Sequence, residues 1–112
     1  MHIKLLLEKY RKASYAYAYG LRVDDGSVRA EQELESIARD LDEAGDNLRR
    51  AVKAKVPELA NYMSNLMTKQ LFAQGSYLSA LLNGRKQEWL AKTLEDYNKS
   101  KSDLNDFVKE LE

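Results

Sequence analysis

One proline, Pro57, and five glycines punctuate the 112 residues of this chain, so it has few places to turn. Proline lacks an N–H and disfavours helical geometry at the residue before it, which makes Pro57 a helix start. The first helical pattern stops near Gly20, and Gly84 supplies the left-handed residue that closes the third. Val23-Asp24-Asp25-Gly26-Ser27 reads as a turn, with Ser27 or Asp25 as the N-cap of the second helix. Four long segments result, and the connections between them are short enough to force neighbours antiparallel.

Within the segments, apolar residues recur at helical spacing. Ile3, Leu6, Leu7, Tyr10, Ser14, Tyr17 and Leu21 follow the helical period, as do Leu34, Ile37, Leu41, Ala44, Leu48 and Ala51. Leu90, Leu94, Tyr97, Leu104, Val108 and Leu111 form a seam of coiled-coil type, interrupted by Lys101. Tyr15-Ala16-Tyr17-Ala18-Tyr19 alternates like a strand, but no other segment offers it a partner strand. The pattern predicts an all-α, elongated antiparallel bundle of four helices at about 3–19, 28–55, 57–83 and 85–111. The last three are long and nearly equal, and the whole chain, 1–112, is one domain.

Charge sharpens this picture. The chain is neutral, with 18 basic and 18 acidic residues, but its first 23 residues set Lys4, Lys9, Arg11, Lys12 and Arg22 against Glu8 alone. Residues 57–84 carry only Glu58 and Lys69. A helix apolar over most of its circumference must be covered on several sides. The second and fourth segments supply two, and the third side falls to the first segment or to a second copy of the chain. Tyr62, Met63, Leu66, Met67, Phe72 and Tyr77 are the expected self-association residues, and a homodimer is the expected state. Folding about Val56 would set Leu34 near Leu78, Leu41 near Leu71, Gly45 near Met67 and Gly75 near Ile37. Folding about Gly84 would set Leu71 near Tyr97.

Several chemistries are excluded by residue type. Cysteine is absent and His2 is the only histidine, so no disulfide framework and no zinc site of the usual Cys/His kind can be built. A nucleophile–histidine triad would need its base at residue 2. A ferritin-like di-iron site needs two Glu-x-x-His pairs. Asp42, Glu43 and Asp46 lie among bases and read as solvated. No glycine-rich phosphate loop occurs, and Asn83-Gly84-Arg85-Lys86 reads as a helix–helix turn. The expectation is a protein with no catalytic residues, no cofactor and no metal.

The first helix is the functional lead. Lys9, Arg11, Lys12, Tyr15 and Tyr19 interleave bases with aromatics, and Tyr15 and Tyr19 share a face four residues apart. Tyr and Arg are common anchors of protein interfaces. These five residues are the expected partner-binding set of a non-enzymatic helical interaction module, of adaptor or inhibitor type, with an acidic protein as its partner. The alternative is association of this basic, Tyr-rich helix with an anionic membrane surface or single-stranded nucleic acid. A third account makes Tyr10 and Tyr17 core and pairs the bases with the acidic second segment.

No apolar run approaches a transmembrane length, and no signal-peptide pattern is present, so a soluble, cytoplasmic protein is expected. Lys55-Val56-Pro57-Glu58-Leu59 and the weakly charged helix after it resemble a helix of BAR-domain membrane scaffolds, over about a quarter of the chain. Those scaffolds are longer and present a dense basic concave face, which this sequence lacks, so no residues are carried over.

Overall fold

The computed structural model describes residues 3–23 and 25–111. Helix α1 spans Ile3–Val23, α2 Val28–Lys55, α3 Ala60–Leu82 and α4 Gln87–Leu111. The expected all-α, antiparallel four-helix bundle is present. His2 lies outside the described residues.

The turns follow the chemistry of their residues. Ser27 caps α2, its side chain accepting from the Ala30 N–H at 3.1 Å, and the Ser27 N–H donates to Asp25 Oδ1 at 2.9 Å. Gly26 takes the positive φ, 77°, that this connection needs. Pro57 opens a short 3₁₀ turn, Pro57–Leu59, after an extended Val56. The chain reverses there, so Pro57 makes a turn and not a kink in one long helix. After α3, Gly84 adopts φ 62° while the Arg85 N–H donates to the Ala80 carbonyl, the Schellman closure of a helix end. That motif uses Arg85, and α4 therefore starts at Gln87, two residues later than expected.

Gly20 does not end α1, which continues to Val23. A Cβ at residue 20 would stand 3.2 Å from Leu34 Cδ1, so this glycine lets α2 approach α1 closely. The same side-chain pairing decides the architecture. Leu34 lies on α1, not against Leu78, and α2 packs along α1 while meeting α3 chiefly around the Pro57 turn. Likewise Gly75 faces Arg22 of α1 and not Ile37, and Gly45 has the Arg49 guanidinium of its own helix against it. The α1–α2 and α3–α4 hairpins are the two tightly packed pairs, and α1 bridges them through α3.

The core gathers at one end. Ile3, Leu6, Leu7 and Tyr10 of α1 meet Leu48 and Val52 of α2, Met63, Leu66 and Met67 of α3, and Leu104, Phe107 and Val108 of α4. These are the starts of α1 and α3 and the ends of α2 and α4, as an up-down-up-down order requires. Beyond this cluster the buried residues turn small or polar: Ser14, Ala18, Gln70, Gln74, Ala80 and Thr93, with Leu78 the one large apolar residue among those described. The bundle is thus closed at one end and looser at the other. Its extents are 41 × 36 × 19 Å and its radius of gyration is 15.0 Å, against about 13 Å for a compact domain of this length. The molecule is a slab, because α2 departs from α3 instead of lying over it.

Candidate protein-binding groove

The departure of α2 leaves one face of α3 uncovered. Leu71, Phe72, Gly75, Ser76 and Ser79 on that face form one wall of an open groove. Tyr17, Ala18, Leu21 and Arg22 of α1 form the other wall, and Arg85 and Trp89 close the end where α4 begins. Its volume is about 530 Å³, within the usual range for binding clefts. Phe72 is 73% exposed and Trp89 57% exposed, with Leu21 of the other wall also exposed. Single exposed apolar residues need no explanation, but a cluster of large ones marks a contact surface.

The groove's charged groups are cationic, beside the hydroxyls of Tyr17, Ser76 and Ser79. Arg22 donates to the Ala18 carbonyl at 2.9 Å and lies against Gly75, where only a glycine leaves it room. Arg85 is exposed at the far end. No carboxylate lines the groove among the described residues. The ion pairs Arg29–Glu33, Arg49–Asp46 and Lys92–Asp96 each lie within one helix, and none of their residues lines the groove.

The expected partner-binding residues divide into two groups. Lys9, Lys12, Tyr15 and Tyr19 are exposed, and the two tyrosine rings lie nearly parallel, 9° apart in plane with centroids 6.3 Å apart. Arg11 is half-buried and serves the fold. It donates to Asn105 Oδ1 at 2.6 Å and to the Lys101 carbonyl at 2.7 Å, tying α1 to α4. Burial pulls its guanidinium pKa down, against the raising influence of Tyr97 and Glu8.

The expected self-association residues divide as well. Met63, Leu66 and Met67 are buried inside the chain, because α1 supplies the third covering side. Tyr77 stacks on Tyr97 with centroids 5.8 Å apart and is half-buried. Tyr62 is exposed, with its ring tilted on Phe107. Phe72 alone of the six lines the groove.

A polar layer separates core from groove, and sequence reasoning missed it. The Gln74 amide donates to the Tyr97 hydroxyl at 3.1 Å, and Lys101 lies 4.4 Å from the centre of the Tyr97 ring. Lys101 thus caps an aromatic ring at the seam it interrupts. Burial raises the Tyr97 pKa, partly offset by the Gln74 hydrogen bond and by Arg11. Both amide atoms of Gln70, and the carbonyl oxygen of Gln74, are buried without a hydrogen-bond partner. The readable signal was Gln70 and Gln74 at helical spacing in line with Met63 and Met67.

Among the described residues no group of histidines and carboxylates is placed to hold a metal ion, and no helix is long and apolar enough to cross a membrane. No family model, no curated protein and no solved structure matches this chain.

Proposed function

We propose that this chain is a non-enzymatic helical interaction module whose partner seats in the groove between α1 and α3. The observation that carries this reading is the exposure of Phe72 and Trp89, two large aromatic side chains standing at an apolar cleft. Buried aromatic anchors supply most of the energy of protein interfaces. Leaving them in water has no benefit to the isolated fold. In this reading the α1 residues that meet the partner are the groove-lining Tyr17, Leu21 and Arg22, beside the Tyr15–Tyr19 flank.

Self-association belongs to the same surface. Met63, Leu66 and Met67 are occupied within the chain, so a second copy would meet Phe72 and Trp89 and compete there with any other partner.

Site-specific photo-crosslinking in the cell of origin tests the reading. A photo-reactive phenylalanine analogue at position 72 should yield protein adducts, and the same probe at Glu43, on the exposed face of α2, should not. Equal adducts from both positions, or none from position 72, would refute the groove as the working surface.

A further inference from the structure

Resting on that reading, we infer that the groove's occupant is an acidic amphipathic α-helix of a partner protein, whose apolar stripe covers Phe72 and Trp89 and whose carboxylates meet Arg22 and Arg85. Shape, charge and exposure each contribute to the choice. The groove runs between two helices, α1 and α3, and a helix laid into such a cleft presents anchors at i, i+3, i+4 and i+7 to both walls. Its walls are apolar at Leu21, Leu71, Phe72 and Trp89, and the Arg22 guanidinium sits between them over Gly75. Its charges are all of one sign, Arg22 and Arg85, with no carboxylate among the lining residues. The first turn of α4, at Trp89, sets the positive end of a helix dipole at the same end of the groove, with the Glu88 carboxylate in that turn outside the lining. The opposing dipole end, at the close of α1, is answered by the Arg22 hydrogen bond to the Ala18 carbonyl. A small amphipathic anion would leave Phe72 in water, because binding clefts enclose most of a small ligand and this one is open along its length. A helix long enough to cross from Trp89 to Leu71 covers both aromatics at once.

Trp89 is the chain's only tryptophan, so its fluorescence reads the groove directly. The test titrates the full chain with three synthetic peptides of ~18 residues, long enough for several helical turns. One carries a leucine stripe flanked by Glu, the second the same stripe flanked by Lys, and the third the first peptide's composition with its helical period scrambled. The Glu peptide should shift Trp89 emission to the blue in a saturable way and bind about tenfold more tightly than the Lys peptide, as two partly exposed ion pairs allow. Arg85→Gln should shrink that preference while the melting temperature stays near that of the parent, and adding Arg22→Gln, which also gives up the bond to the Ala18 carbonyl, should shrink it further. Added salt should shrink it too.

Equal or tighter binding of the Lys peptide overturns the inference, as does equal binding of the scrambled peptide. So does a blue shift with anionic lipid vesicles and not with the Glu peptide. A concentration-dependent dimer that already covers Trp89 would replace the acidic helix by a second copy. If no peptide binds while the probe at position 72 still crosslinks, the acidic helix falls and the groove stands. If both experiments fail, the interaction reading falls with it.

Discussion

The Arg22 guanidinium lies so close over Gly75 that a Cβ on residue 75 would stand 2.9 Å from Arg22 Nη2. A mid-helix glycine costs about 1 kcal/mol relative to alanine. Gly75→Ala should recover that cost and displace only the far end of a flexible side chain, losing about 1 kcal/mol with the hydrogen bond to Ala18. The two effects nearly cancel, so the melting temperature should move little. Gly75→Leu, which fills the groove, should abolish crosslinking from position 72. Unchanged crosslinking would show that the partner does not enter between α1 and α3.

Arg11 makes a contrasting case on the same helix. Its two hydrogen bonds to α4, at 2.6 and 2.7 Å, join elements that otherwise touch sparingly. Hydrogen bonds from charged donors contribute about 1.5–3 kcal/mol, so Arg11→Ala should lower stability by roughly that amount in urea unfolding. Lys9→Ala and Lys12→Ala, on exposed positions, should each stay within about 0.5 kcal/mol. Equal effects at all three positions would remove Arg11 as the α1–α4 tie.

The helices were legible because breakers and period agree: Pro57, Gly84 and Ser27 each act where local chemistry places them. Helix partners were less legible. Leu34 and Ile37 have the same spacing whether they face α3 or α1, and the choice turned on Gly20, which reads equally well as a helix end. With Gly20 inside α1, the first helix lengthens and takes α2 as its neighbour. The groove then forms on the face of α3 that α2 was expected to cover, so it could not be seen from either segment alone. Phe72 reads as a contact residue from its sequence, but in company with Met63 and Met67, which the α1 crossing buries. Leu71 faces the groove, and Tyr97 meets Gln74 and Tyr77 instead, one turn nearer the loop.

Gln70 is fully buried with neither amide atom hydrogen-bonded. An unpartnered buried polar group costs about 1–3 kcal/mol. Gln70→Met keeps the shape of the side chain and removes both polar atoms, so it should raise the urea midpoint by the equivalent of about 1 kcal/mol or more at unchanged slope. A lowered midpoint would show that the amide gains more from its surroundings in solution than the fold implies.

Tyr10 predicts an alkaline limit. Its ring lies in the core cluster and its hydroxyl donates to the Met67 carbonyl at 3.5 Å, the outer edge of a hydrogen bond. Burial raises its pKa above the ordinary 10.0, and Arg49 pulls it partly back. The folded state therefore holds the phenolic proton more tightly than the unfolded state does. The stabilisation is complete below the unfolded value near 10.0 and is lost as pH rises through the higher folded value. Within that window Tyr10 should remove at most about 1.4 kcal/mol of stability per pH unit. Lysines titrate in the same range, so the measurement is the difference between parent and Tyr10→Phe in urea unfolding across that window. The variant should match the parent within about 1 kcal/mol at neutral pH, since the bond it loses is long. It should then become the more stable of the two as pH rises above 10.0. Parallel curves for the two proteins would mean that Tyr10 ionises as freely in the fold as in water.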